Sequence, residues 1–264
     1  MNLPADVPGG PDPGVQPAAA VILAGGRSSR LGGVPKAALQ VDDDGGTLLA
    51  VTVAAAAAAL EGRNRDWSGT GHAGTQGGAA EPPKPRIAVV GPAEELRPLL
   101  SEADRALWVR EEPPFSGPAA GLAAGLEALE VASAVADDAH ILLVLACDMP
   151  AVAAAVDALL AGSRHPSLPA SAPDGGGRGE PDGWLAIDGD REQPLAALYR
   201  AGPLRAAVEE SRARGTLENS SVFRLVASLD LTRVHVPPGS TADVDTWADA
   251  QALGVRPGSR EDQP

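Results

Sequence analysis

Seven apolar residues, Ala18–Ala24 (AAAVILA), run directly into the pair Gly25-Gly26. An apolar run of that length, bounded by a proline-rich stretch and a glycine pair, is expected to form a strand buried on both faces of a sheet. The loop that follows reads GGRSSRLGGVPK and ends at Lys36. Its glycines at 25, 26, 32 and 33 let backbone N–H groups approach a ligand without side-chain obstruction. Arg27, Arg30 and Lys36 supply positive charge, and no acidic residue occurs between Ala18 and Val41. The whole chain carries 21 Lys and Arg against 35 Asp and Glu, a net charge of −14. A local concentration of cations on such a chain calls for an anion, and a polyphosphate suits it. The loop is not a Walker A, because no Gly-Lys-Ser/Thr occurs, and its glycine spacing is not GxGxxG.

Composition removes other classes. The acidic balance argues against a nucleic-acid coat or an anionic-membrane binder, since both need a basic footprint. Aromatic residues are 3% of the chain, too few for a base-stacking single-strand binder. Cys147 is the single cysteine, so neither an intramolecular disulfide nor a CxxC metal knuckle can form. The first residues have no basic start and no apolar h-region, and no apolar run is long enough to span a membrane. Cytoplasmic localisation is expected. Of 56 glycines and prolines, 27 fall within residues 1–17, 62–86 and 162–183. The first of these reads as a disordered tail and the other two as flexible, dispensable inserts. A domain over 18–255 and a C-terminal tail over 256–264 complete the organisation.

Along that domain, apolar strands alternate with helical segments. Strands are expected at Arg86–Gly91, Ala106–Arg110, His140–Ala146, Trp184–Asp188, Pro194–Tyr199 and Leu231–Val236. Helices are expected at Thr47–Leu60, Pro92–Leu100, Pro118 to about Ala136, Ala151–Ala161, Leu204–Arg212, Leu217–Leu229 and Asp243–Leu253, the last capped by Asp or Thr. The pattern predicts a three-layer, Rossmann-like α/β fold: a mostly parallel sheet with helices on both faces. Ligands of such sheets sit at the carboxyl ends of the strands. That directs attention to the loops after Ala24, Arg110 and Ala146.

Asp148 directly follows the most strand-like segment, so its carboxylate stands at the same sheet edge as the glycine loop. Two roles suit it: ligand to a hard cation such as Mg²⁺, or N-cap of the helix after Pro150. Ser116–Gly121 (SGPAAG) is a small-residue loop leading into a helix, suited to a ligand or to close packing. Arg191 to Pro194 is either a turn or part of an acceptor crevice using Gln193, and Asp243 and Asp245 open the last helix. The four histidines have no metal-ligand spacing. Cys147 reads as a buried strand residue, since no histidine is placed to activate it.

Taken together, LAGGRSSRLGGVPKAAL, SGPAAGLAAGL, CDMP, QPLAALY and DVDTWADAQAL resemble the molybdenum cofactor guanylyltransferases and related nucleotidyltransferases, from about residue 18 to 253. The resemblance implies a three-layer α/β fold and transfer of GMP from GTP to molybdopterin-bound molybdenum, releasing pyrophosphate. It implies that Leu23, Ala24, Gly25 and Gly26 hold base and triphosphate, that Lys36 binds phosphates beside Arg30, that Asp148 binds Mg²⁺, and that Asp245 joins it at the active site. Gly117 belongs to the second glycine loop, and Glu112 or Glu111 stands for the acidic base contact, with a gap. Pro35 replaces the aspartate frequent before the lysine, and GPLAG is here GPAAG. The substrates implied are GTP and molybdopterin cofactor, with cofactor-insertion proteins as transient partners. The other activities compatible with these motifs are CTP-dependent transfer to molybdopterin, transfer to phospholactate or a sugar phosphate, and nucleotide binding without turnover.

Overall fold

A computed structural model describes residues 15–26, 29–41, 46–65, 86–164 and 180–258. Arg27, His72 and His165 lie outside them, as do most of the segments read as tails and inserts. Among the described residues seven strands form one sheet: β1 (Ala19–Leu23), β2 (Ile87–Val90), β3 (Ala106–Val109), β4 (Ile141–Ala146), β5 (Gly183–Asp188), β6 (Arg191–Arg200) and β7 (Leu231–His235). Their order is β3-β2-β1-β4-β6-β5-β7. β6 runs antiparallel to both its neighbours, and every other pairing is parallel. The expected three-layer α/β architecture is what the chain adopts.

Strand alternation builds two cores. Ala20 and Ile22 of β1 and Ile141, Leu143 and Leu145 of β4 face one layer. That layer is α1 (Leu48–Arg65), α2 (Ala93–Leu96) and α4 (Val152–Ser163). Ala19 and Val21 of β1 and Leu142 and Val144 of β4 face the other. It contains α3 (Pro118–Val131), α5 (Ala201–Ala213) and α6 (Val222–Leu225). Because the central strands are covered on both sides, they are apolar without interruption. A smaller cluster, including Leu31, Leu39, Leu48, Val244 and Val255, ties the loop after β1 to the C-terminal region and to α7 (Trp247–Ala252). Among the described residues no helix is long and apolar enough to cross a membrane.

Several elements differ from expectation, each for a local reason. α2 covers one turn and gives way to a 3₁₀ turn at Arg97–Leu99, where Pro98 lacks the N–H an α-helix would use. Helix over Leu217–Leu229 contracts to Val222–Leu225, because Asn219 takes a left-handed φ of 57° and Ser221 caps the chain anew. α3 ends at Val131, and the left-handed Ser133 follows. The residues Arg191 to Pro194 are not a turn but the start of β6. Pro194 is tolerated there because the pairing with β5 slips between Leu185 and Ala186. The buried Tyr199 hydroxyl donates to the Pro194 carbonyl at 2.8 Å and spans that irregularity. α1 continues to Arg65, four residues into the segment read as an insert.

Helix α3 lies close against β1 and β2, and Gly125 permits it. A Cβ there would stand 2.6 Å from Val21 Cγ1 and 3.1 Å from Val90 Cγ2. Gly125→Ala should therefore destabilise the fold by about 1–2 kcal/mol, although alanine is favoured over glycine in a helix interior by about 1 kcal/mol. Denaturant unfolding measures the outcome. A midpoint above wild type would show that α3 does not bear directly on the strands.

Candidate active site

The parallel strands end at one edge and their loops are stitched together there. Cys147 N–H donates to the Leu23 carbonyl at 3.0 Å, Ala24 N–H to Val90 at 2.9 Å, and Gly91 N–H to Val109 at 2.8 Å. After β1 the chain turns back through Gly32 and Gly33, both left-handed (φ 66° and 86°), a conformation side chains other than glycine disfavour. It then makes a 3₁₀ turn over Lys36–Ala38 and pairs at Gln40 with both Thr47 and Arg256. This anchoring fixes Lys36 with respect to the C-terminal segment.

Lys36 Nζ donates to Asp148 Oδ2 at 2.9 Å and to Asp245 Oδ1 at 2.5 Å. Arg30 Nη1 stands 3.5 Å from Asp245 Oδ2, both groups being largely exposed. Asp243 completes the constellation: one carboxylate oxygen each from Asp148, Asp243 and Asp245 lie within 4.8 Å of one another. The structure thus separates the two roles open to Asp148. Helix α4 has Ala151 at its N-cap and no side-chain cap, so the Asp148 carboxylate faces Lys36 instead. The aspartates of the last helix separate likewise. Thr246 is its cap, in a reciprocal capping box with Asp249, and the helix starts only at Trp247. Asp243 and Asp245 precede it and are not used as caps.

The segment carrying these aspartates is held at three points. Val244 N–H donates to the Asp148 carbonyl at 2.9 Å. Upstream, Asp188 at the end of β5 accepts from Gly239 N at 3.0 Å, Thr241 N at 3.2 Å and Thr241 Oγ1 at 3.0 Å. Downstream, Asp249 accepts from Asp245 N at 3.2 Å and Thr246 N at 2.7 Å.

Burial and charge compete in the centre. Burial raises the Asp148 carboxyl above its ordinary value, with Asp243 adding repulsion, and the neighbouring ammonium does not fully offset this. Burial alone would lower the Lys36 ammonium, but the attractions of Asp148 and Asp245 outweigh it, so the lysine stays charged. Burial also pushes the Cys147 thiol far up, which leaves it a poor nucleophile. Three converging carboxylates are the donor set of a hard divalent cation, and Mg²⁺ fits them.

A cleft of about 870 Å³ opens from this centre along the strand ends. It brings together Leu23, Ala24, Gly25, Gly26, Arg30, Lys36, Gly117, Asp148 and Asp245. It does not include Glu112, which lines a neighbouring groove. Away from the aspartates, the acidic residues along the cleft are instead Glu111, which accepts Phe115 N–H at 2.9 Å, and Glu95. Gln193 is not on the cleft wall either; as part of β6 it pairs opposite Ala186, and Leu195 lines the cleft in its place. Sequence reasoning missed Glu95, Phe115, Leu195 and the support from Asp188. It left Asp243 open between a helix cap and a functional role.

Two outcomes are expected. Lys36→Ala removes the ammonium between Asp148 and Asp245 and leaves the exposed Arg30 as the remaining cation beside them, so metal-free protein should lose about 2 kcal/mol, between the values of exposed and buried ion pairs. Millimolar Mg²⁺ should restore more thermal stability to this variant than it adds to wild type; equal responses in a melting assay would separate the metal from this cluster. Asp188→Ala should cost about 1 kcal/mol at neutral pH, discounted for solvent screening. Burial would raise that carboxyl, but its hydrogen bonds from Gly239 and Thr241 hold it below the ordinary value. Its stabilisation is therefore full above the ordinary carboxylate value and lost as pH falls through the lower folded-state value. Urea unfolding from pH 7 to pH 3 should show the deficit closing; a deficit unchanged at low pH would mean the contact is not ionic.

Residues 20–224 match the MobA-like NTP transferase domain. No curated protein is similar enough in sequence to count as a match. Solved structures share the fold. Molybdopterin-guanine dinucleotide biosynthesis protein A from Archaeoglobus fulgidus is 16% identical, covering 89% of this chain and 96% of its own, with a TM-score of 0.52. A homologue of Mycobacterium tuberculosis Rv0371c from Mycobacterium sp. strain JC1 is 20% identical, covering 91% and 96%, with a TM-score of 0.56. The 2-C-methyl-D-erythritol 4-phosphate cytidylyltransferase of Francisella tularensis is 10% identical, covering 89% and 97%, with a TM-score of 0.54. The domain match spans most of the sequence and takes in the glycine loop, Lys36 and Asp148 of the strand-edge cleft: the chain is a nucleotidyltransferase and belongs to the MobA-like NTP transferase family.

Proposed function

We propose that this enzyme transfers GMP from GTP to molybdopterin cofactor and releases pyrophosphate, the product passing to cofactor-insertion proteins. The observation that carries the reading is Lys36 held between Asp148 and Asp245 beneath a glycine loop. In that arrangement a phosphate-binding cation adjoins a set of metal-binding carboxylates. The guanine preference is supported by the loops Leu23–Gly26 and Gly117–Gly121, which resemble those of the guanylyltransferases, with GPAAG in place of GPLAG. It is supported also by Glu95 and Glu111 on the cleft wall. Guanine presents adjacent N–H donors on its pairing edge, which a carboxylate can accept, whereas cytosine presents one donor beside an acceptor.

The acceptor's terminal phosphate is already anionic and needs no protein base. Its oxygen forms a bond to the α-phosphorus of the nucleotide, the bond to the bridging oxygen breaks in line, and pyrophosphate leaves with that electron pair. The protein's work is positioning and charge neutralisation. Lys36 and Arg30 meet the phosphate oxygens, and the backbone N–H groups of the glycine loop approach them without side-chain obstruction. When bound by Asp148, Asp243 and Asp245, Mg²⁺ would supply further neutralisation of the phosphate charge.

Dinucleotide formation from molybdopterin cofactor with equal GTP and CTP tests the base. The guanine product should dominate, since a site that hydrogen-bonds one base leaves polar groups unpaired with the other; a cytosine product in clear excess would reject GTP and leave the enzyme class intact. Asp148→Asn should lower turnover by at least about a hundred-fold. Its stability should stay within about 1–2 kcal/mol of wild type. Normal Mg²⁺-dependent turnover in that variant would remove Asp148 from the mechanism.

A further inference from the structure

Phe115 stands where glycine would be the unstrained choice. Its φ is 64°, a left-handed conformation that is uncommon for a bulky side chain. It is also 48% exposed, and it lines the cleft. Neither property is favourable in isolation. The surrounding loop nevertheless holds the residue in place from several directions. Glu111 accepts the Phe115 N–H at 2.9 Å. The next residue is fixed twice: Ser116 Oγ donates to the Pro113 carbonyl at 2.5 Å, and the Ser116 carbonyl accepts Asn219 N–H at 2.6 Å. Gly117 follows with φ 91° and packs so closely on Asn219 that a Cβ would lie 3.2 Å from its Cα. The Arg110 guanidinium sits over the ring, 5.2 Å from its centroid. A strained residue that its neighbours over-determine, at a cleft, points to a function for the side chain.

We infer that Phe115 is the stacking platform for the nucleobase of the bound NTP. The inference rests on the nucleotide occupying this cleft as proposed above. Sheet order supports the placement. β3, which leads to Phe115, and β4, which leads to Asp148, are separated by β2 and β1. Three inter-strand steps amount to about 14 Å, the length scale of a nucleotide lying across the strand ends with its phosphates at Lys36. The cleft lining includes Gly25, Gly26, Pro92 and Gly121, compact residues that leave room for a planar ring. Every base has a π face, so the platform supplies affinity, while choice among bases falls to the carboxylates at the edge.

Titration calorimetry with GTP and with tripolyphosphate, both with Mg²⁺, tests this on Phe115→Gly, Phe115→Leu and Phe115→Trp. Phe115→Gly suits the backbone, so it should melt no lower than wild type. It should bind GTP roughly ten-fold more weakly and tripolyphosphate unchanged. Phe115→Leu should not recover GTP affinity and Phe115→Trp should. Wild-type GTP affinity in Phe115→Gly would overturn the inference. So would equal loss for GTP and tripolyphosphate. Failure of wild type to bind either GTP or CTP in the same titration would instead overturn the nucleotidyl-transfer reading on which the inference rests.

Discussion

Three carboxylates forced together at the end of a buried strand are the constraint on which the site depends. Asp148, Asp243 and Asp245 repel one another, and burial adds to the cost of charging Asp148. The fold meets this with a lysine from a different loop, at 2.9 Å from one carboxylate and 2.5 Å from another. Everything else in the region serves to keep the partners in register. β1 and β4 lie side by side, the chain after β1 is anchored to the C-terminal segment, and Asp188 and Asp249 grip the strand of chain that carries Asp243 and Asp245. Such a centre is matched to ligands that bring both signs of charge, a cation with phosphates.

The two ends of the cleft differ in character. At Lys36 and Arg30 the wall is cationic, with carboxylates behind it. Toward β2 and β3 it becomes small-residue and apolar, with Glu95, Glu111 and the ring of Phe115. A molecule with an anionic end and a planar, hydrogen-bonding end satisfies both. The division follows the strand order, which places the loops after β4, β1, β2 and β3 in a row along one edge. Family membership and cleft chemistry therefore agree.

The fold was largely legible in the sequence because buried parallel strands announce themselves as uninterrupted apolar runs; Ala19–Leu23 and Ile141–Ala146 are examples. Asp148 was legible as the carboxylate just past such a run, and Lys36 as the cation that closes the glycine loop following another. The direction of β6 was not, since apolar patterning does not distinguish parallel from antiparallel pairing, and Pro194 within a strand reads as a break until the slipped pairing with β5 is seen. Asp243 was obscured by its resemblance to a helix cap, a role that Thr246 holds instead. That Glu111 and not Glu112 lines the cleft depends on a loop whose left-handed Phe115 has no signature in residue type alone. Asp188 was invisible because its partners, Gly239 and Thr241, are fifty or so positions away.

The central claim is that the three aspartates form one divalent-cation site that works with Lys36 on phosphates. Electron paramagnetic resonance of Mn²⁺ titrated into the protein, with and without GTP, addresses it without requiring turnover. Wild type should show a single strong Mn²⁺ site per chain, tightened by GTP, and Asp148→Asn should lose it while remaining folded. An unchanged Mn²⁺ site in folded Asp148→Asn would contradict the claim.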